Sequence, residues 1–256
     1  MTQTVSETMA DAIPEVLILA AGYGNRLGRL TETTPKCLVP VAGEAPLDRW
    51  CRLLDTLPPT RITVNTHHLA DQVDRRIARY TRAGPHRWRA LHEPRLLGSA
   101  GTLARVLDDP ALENLLVIYA DNISTLDPWA FWRRAQAAPC PVVLGLFRAD
   151  DPTRCGIATR AADGVISAFA EKPAQPASDL AFAGVLAARA AALRTALGPA
   201  HHDIGRDLLP ALAGCMAGLD VEGYHRDMGT PEAIAAIERD AAAGLWRPGR
   251  PGRQDR

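Results

Sequence analysis

A glycine-rich turn, Gly22-Tyr23-Gly24, follows the apolar run Val16 to Ala20, and Arg26 and Lys36 come shortly after it. Glycines let backbone N–H groups approach an anion closely, and two nearby cations add charge around it, so phosphate binding is the chemistry to expect. Three readings compete. A dinucleotide fingerprint needs a glycine where Leu27 stands, with Gly28 one residue late, and a phosphate loop ending in G-K-[ST] is absent. The third is a loop around a nucleoside triphosphate, with Gly22 and Gly24 at the phosphates and Arg26 and Lys36 neutralising charge. A lone G-x-G is most often only a tight turn. The later Thr31, Thr34-Pro35-Lys36 and Leu38 make this stretch more specific.

Lysine usage adds a second signal. Of 29 basic residues only Lys36 and Lys172 are lysines. An ammonium is a compact point charge and a guanidinium a planar fork, so the two positions that keep lysine are candidates for sites needing the point charge. Chance survival of two surface lysines is the plain alternative. Two aspartates complete the set. Asp121 ends the apolar run Val117-Ile118-Tyr119-Ala120, where a carboxylate can hold a hard cation such as Mg²⁺ or cap a helix. Asp227 lies in His225-Arg226-Asp227-Met228-Gly229-Thr230-Pro231; a kinase catalytic loop would need an asparagine that is missing here, and Thr230-Pro231 also reads as a helix start.

These residues need a frame. Apolar residues are 47% and charged residues 23% of 256, the profile of a globular protein with a sizeable core. Formal net charge is zero, which points away from nucleic acid or an anionic membrane as partner. No apolar run approaches the roughly 20 residues that span a bilayer. The first residues lack a signal-peptide pattern, and five scattered cysteines without C-x-x-C spacing read as reduced thiols, so a cytoplasmic protein is expected. Strands are expected at Val16–Ala20, Arg61–Thr66, Arg89–Glu93, Leu115–Ala120, Val142–Phe147, Gly164–Ala170 and Val221–His225. Helical spacing marks Leu47-Trp50-Leu54, Leu69-Val73-Ile77, Ala187–Leu197, Gly205–Leu212 and Pro231–Ala243. Alternation of this kind predicts an α/β fold with a mixed, mostly parallel sheet and helices on both faces. Ligands then bind at the carboxyl ends of the strands, where the glycine turn falls. One domain over residues 15–245 is expected, with disordered tails at 1–14 and, rich in Pro, Gly and Arg, at 246–256.

The stretch Leu17-Ile18-Leu19-Ala20-Ala21-Gly22-Tyr23-Gly24-Asn25-Arg26-Leu27, continuing through Pro35-Lys36-Cys37-Leu38-Val39-Pro40, resembles the signature of the sugar-1-phosphate nucleotidylyltransferases. The resemblance implies a Rossmann-like nucleotide-diphospho-sugar transferase fold. It also implies that the loop of Leu19, Ala20, Ala21, Gly22, Gly24 and Asn25 holds the triphosphate, with Arg26 and Lys36 on phosphates. Asp227-Met228-Gly229-Thr230-Pro231 resembles that family's D-x-G-T-P element, which puts Asp227 on the same Mg²⁺ as Asp121. Glu171-Lys172-Pro173 resembles its E-K-P element: Lys172 would neutralise the sugar phosphate and Glu171 accept from sugar hydroxyls. The plain reading of that pair is an exposed strand-end ion pair. Gly156, in a weak form of Y-G-x-V, and Gly184, in Phe182-Ala183-Gly184, would line the sugar. Phe182 departs from the family's usual asparagine, which leaves the acceptor open.

His92-Glu93-Pro94-Arg95-Leu96-Leu97-Gly98-Ser99-Ala100-Gly101 resembles the base-reading loop, closest to mannose- and heptose-1-phosphate guanylyltransferases, with Gly98 and Ser99 at the nucleotide. A carboxylate only accepts hydrogen bonds, and guanine offers two adjacent donors, so Glu93 favours GTP. Glu93 could instead bind a ribose or a helix N-terminus. Asn65-Thr66-His67-His68 is expected near this pocket, its histidines satisfied structurally. The function implied is transfer of a nucleotidyl group from an NTP, GTP favoured, to a sugar-1-phosphate. The alternatives are the same reaction with dTTP or UTP, or a non-catalytic relative that binds a nucleotide sugar. A homo-oligomer is compatible with this reading.

Overall fold

The apolar run after Pro14 forms a strand, and the elements alternate from there in a computed structural model that describes residues 13–249. In chain order these are β1 (Glu15–Leu19), α1 (Pro46–Leu54), β2 (Arg61–Thr66), α2 (Ala70–Ala83), β3 (Arg87–His92), α3 (Gly98–Leu107), β4 (Asn114–Tyr119), β5 (Asn122–Ser124) and α4 (Pro128–Gln136). They continue with β6 (Val142–Arg148), β7 (Gly156–Arg160), β8 (Val165–Glu171), β9 (Leu180–Arg189), α5 (Ala190–Ala196), α6 (Leu209–Ala211), β10 (Met216–Asp220), β11 (His225–Asp227) and α7 (Pro231–Ala242). The fold is mixed α/β. No helix among the described residues is long and apolar enough to cross a membrane.

The described chain divides into two compact units. One gathers residues 17–97, 118–127 and 221–249, and the other residues 13–16, 98–117 and 128–220. The chain passes between them inside continuous apolar stretches such as β4, so no linker composition marks the division.

In the first unit, which carries the glycine turn, β2 and β3 pair in parallel with Arg61 opposite Arg87 and Thr66 opposite His92. Strand order is β3-β2-β1, and the end of β4 lies beside β1, where the Ala120 N–H donates to the Leu19 carbonyl at 3.0 Å. A separate antiparallel pair joins β5 to β11, with Asn122 opposite Asp227. Leu27, Val39, Val41, Ile123, Met228, Ile234, Ile237 and Trp246 form one buried apolar cluster. Trp246 corrects the expectation of a disordered tail from 246. Its indole N–H donates to the Ile237 carbonyl at 3.1 Å, its ring stacks on Tyr224, and the Arg49 guanidinium lies over it. The Gly249 N–H donates to the buried Glu44 carboxylate at 2.9 Å. The segment reads as tail because Pro, Gly and Arg surround its one large apolar anchor. Residues 250–256 and 1–12 lie outside the described residues.

In the second unit the order is β4-β9-β6-β10-β8-β7. Here β10 and β6 are parallel, while β6–β9, β8–β10 and β7–β8 are antiparallel, and β7 meets β9 again at Ile157 and Ala181. The helix expected from Ala187 starts only at Ala190, because Ala187–Arg189 complete β9. That strand is buried over most of its length, and a strand buried on both faces shows a continuous apolar run that spacing cannot tell from a helix. The segment 221–225, expected as a strand, is mostly the connection between β10 and β11, turned by Gly223 at φ 83°. Gly205–Leu212 is a wide turn, Ile204–Leu208, running into α6.

Candidate active site

The glycine turn leads from β1 into a short helical turn, Asn25–Thr31. Gly24 has a left-handed φ of 69°, and a Cβ there would stand 2.9 Å from Thr31 Cγ2 and 3.0 Å from Lys36 Cβ. Only glycine lets the loop lie against the lysine-bearing segment. Gly22 has no such constraint: a Cβ there would meet nothing within 4 Å. Lys36 opens a turn capped by Pro35, and its side chain is only 11% exposed. Its ammonium lies 2.5 Å from Asp121 Oδ2 and 3.9 Å from Asp227 Oδ1. Arg26 reaches the same place: an ideal Cβ on Gly229 would stand 2.6 Å from Arg26 Nη2 and 2.5 Å from Asp227 Oδ2. Gly229 thus leaves room for guanidinium and carboxylate together.

The first unit therefore gathers Arg26, Lys36, Asp121 and Asp227. The β5–β11 pairing unites the two aspartates, and the Met228 N–H donates to the Asp121 carbonyl at 3.1 Å. The apolar cluster anchors every one of these segments, since Leu27, Val39, Ile123 and Met228 lie one to three residues from the four polar groups. Partial loss of hydration and the neighbouring Asp121 carboxylate hold the half-exposed Asp227 carboxyl above its ordinary range, opposed by Lys36 and Arg26. Among the described residues no group of three or more His, Cys, Asp or Glu forms a metal cluster. Two carboxylates from two strand ends fit the donor set of Mg²⁺, which takes one or two carboxylates and fills its other positions with phosphate oxygens and water.

Several assignments for the nucleotide change. The backbone N–H groups of Ala20 and Ala21 both donate to Asn65 Oδ1, at 2.6 and 3.2 Å, so they are engaged within the protein. Asn65 Nδ2 donates to Glu93 Oε1 at 2.9 Å, and the Leu97 N–H donates to Glu93 Oε2 at 3.1 Å. Glu93 is 0% exposed. A fully buried carboxylate that already accepts at both oxygens is out of a base's reach, which corrects its assignment as guanine reader. Sequence reasoning missed the role of Asn65; the signal was an asparagine, a poor strand former, near the carboxyl end of a strand. His67 and His68 are satisfied, as expected: His67 bonds Tyr23 Oη at 2.9 Å and the Glu93 carbonyl at 2.7 Å, and His68 bonds the Thr31 carbonyl at 2.7 Å.

Gly98 and Ser99 belong to the second unit. A Cβ on Gly98, at φ 77°, would stand 2.2 Å from the His202 carbonyl oxygen. Ser99 Oγ donates to Asp203 at 3.1 Å and accepts from the Ile204 N–H at 2.8 Å. Both residues dock the start of α3 onto the 202–204 segment.

In the second unit, Glu171 ends β8 opposite Gly156 of β7. Ideal Cβ atoms on Gly156 and on Gly205 would each stand 2.7 Å from Glu171 Oε2, so two glycines from different segments make room for one carboxylate. Sequence reasoning did not find Gly205. Lys172 holds a left-handed φ of 49°, costly for a residue with a Cβ, and its ammonium pairs with Glu171 Oε1 at 3.2 Å. Phe169 packs edge-on against Phe182, with centroids 6.3 Å apart, and its ring tip borders Gly156. Gly184, at φ 66°, lies where the β6–β9 register shifts and serves a bulge in the backbone.

A glycine loop with two cations, two carboxylates at the carboxyl ends of strands and a mixed sheet define an α/β protein with a charged site at its strand ends. The chain belongs to the nucleotidyl transferase family, whose model matches residues 15–244. It is 32% identical over 141 residues to valienol-1-phosphate guanylyltransferase of Streptomyces hygroscopicus subsp. limoneus, covering 51% of this chain and 38% of that one. It is 27% identical over 224 residues to mannose-1-phosphate guanyltransferase beta-B of Xenopus laevis, covering 85% and 62%. It is 25% identical over 241 residues to glucose-1-phosphate thymidylyltransferase of Streptomyces griseus, covering 88% and 65%. The chain thus spans less than two thirds of each relative's length. The crystal structure of HddC from Yersinia pseudotuberculosis shares the fold, with a TM-score of 0.71 at 21% identity over 89% of this chain and 99% of that one.

Proposed function

We propose that the protein transfers a nucleotidyl group from an NTP to a sugar-1-phosphate, giving an NDP-sugar and pyrophosphate. The observation that carries this reading is the convergence of Arg26, Lys36, Asp121 and Asp227 around the glycine loop. An oxygen of the sugar phosphate attacks the α-phosphorus, the bond to the bridging oxygen breaks, and pyrophosphate leaves with the electron pair. The attacking phosphate is already anionic, so no protein nucleophile or base is needed; positioning and charge neutralisation suffice. Arg26 and Lys36 neutralise the triphosphate, and Lys172 neutralises the acceptor phosphate while Glu171 accepts from its hydroxyls. Asp121 and Asp227 would hold Mg²⁺, which would supply screening of phosphate charge, and Lys36, now paired with Asp121, would turn to a phosphate oxygen.

GTP is the favoured donor, supported by the guanylyltransferases among the relatives and no longer by Glu93; the thymidylyltransferase keeps dTTP as the alternative. Pyrophosphate release from purified protein with each NTP, Mg²⁺ and a panel of sugar-1-phosphates tests the reading. Acceptor-dependent release, fastest with GTP, is expected. Tight nucleotide-sugar binding without turnover across the panel would instead favour a binding protein.

A further inference from the structure

The structure assigns Asn65 and Glu93 as a positioning pair that holds the nucleotide loop, a role resting on the proposed function. Asn65 lies at the carboxyl end of β2 and is 4% exposed. Its carbonyl takes the two N–H groups that begin the loop, Ala20 and Ala21, and its amide donates to Glu93. Glu93 in turn takes the Leu97 N–H. The order of donors and acceptors along this chain is fixed: two N–H groups, a carbonyl, an NH₂, a carboxylate, an N–H. An amide in the middle with a carboxylate beyond it satisfies every link, and exchanging either residue alone breaks one. The next residues hold the rest of the loop, with His67 on Tyr23 and His68 on the Thr31 carbonyl. Thr31 itself returns its hydroxyl to the Gly24 carbonyl at 3.2 Å. The segment 65–68 therefore sets the loop from Ala20 to Thr31 without touching a nucleotide.

The direction of the bonds supplies the test. Asn65→Asp places two carboxylates against each other, and Glu93→Gln sets an amide NH₂ against a donor at one of its two contacts. The double variant restores the chain: the introduced aspartate still accepts from Ala20 and Ala21, and the introduced glutamine donates to it and accepts from Leu97. Equilibrium binding of Mg²⁺–GTP should weaken by about tenfold or more in each single variant, as expected for a buried group left unpaired, and recover to within about threefold of wild type in the double. Amide exchange at Ala20 and Ala21 should be slow in wild type and double and fast in both singles. If a single variant does not fold, recovery in the double carries the same weight. A double no better than the worse single, or singles with unchanged binding and exchange, overturns the assignment. Binding and exchange need no turnover, so a protein that fails to release pyrophosphate loses the proposed function, while the swap still reads on the pair.

Discussion

The two lysines sit in opposite physical settings. Lys36 is 11% exposed, backed by an apolar cluster and set against two carboxylates, whereas the Lys172 side chain is 54% exposed and rests on a strained backbone beside one carboxylate. A buried charge in a close carboxylate pair costs stability when that pair is broken, and the apolar cluster behind Lys36 limits where its ammonium can move. An exposed ion pair adds little stability, and the left-handed backbone of Lys172 is held by its N–H, which donates to the Cys155 carbonyl at 2.9 Å, leaving the ammonium itself loosely placed. The comparison separates a preorganised half, expected to control the chemical step, from an adaptable half, expected to control the choice of acceptor.

The largest effect should come from the buried lysine. Lys36→Arg is expected to lower kcat by about 10²–10³-fold, the scale seen when one preorganised charge-stabilising donor is lost, with circular dichroism unchanged. Near-normal turnover would break the distinction. In the second unit, Gly156→Ala forces a methyl to within 2.7 Å of Glu171 Oε2 and 2.6 Å of Phe169 Cζ. It should raise the acceptor KM by about tenfold while leaving NTP affinity unchanged, an effect on orientation alone. A smaller contrast comes from Lys172. Lys172→Gly relieves the left-handed strain and Lys172→Ala keeps it, so the glycine variant should melt at the higher temperature, by about 1 kcal/mol of stability, although both bind acceptor poorly. Equal melting temperatures would remove strain from the account. The smallest effect concerns Cys37, beside Lys36, whose thiol burial pushes up to about 12. At pH 8 it stays protonated and should resist iodoacetamide in the folded protein, while exposed Cys215 is labelled with little loss of activity.

Much of the first unit was legible because its signals are local. Glycine spacing, a strand-end aspartate and the exact span of β2 each follow from a few neighbouring residues. The convergence of Asp121 and Asp227 was not visible as geometry, since it depends on β5 and β11, two three-residue strands too short to show periodicity. Glu93 was assigned through its resemblance to a base-reading loop and Asn65 only placed nearby, yet burial decides what each can touch, and burial of a polar residue depends on partners elsewhere in the chain. The second unit was harder. Its alanine-rich β9 carries no helix-versus-strand signature, so the helix expected from Ala187 begins three residues late, and the backbone packing of Gly98 and Gly184 depends on partners distant in the chain. Phe182 stood out as a departure; its edge contact with Phe169 shows that it packs in an aromatic pair.

The central claim is that the Lys36–Asp121–Asp227 cluster carries metal-dependent nucleotidyl transfer. Pyrophosphate release measured across a Mg²⁺ titration, in wild type and Asp121→Asn, tests it most directly. Wild type should show release that needs both Mg²⁺ and a sugar-1-phosphate, and the variant should lose about 10²-fold or more and require more Mg²⁺ for what remains. An Asp121→Asn protein with the rate and Mg²⁺ dependence of wild type would contradict it.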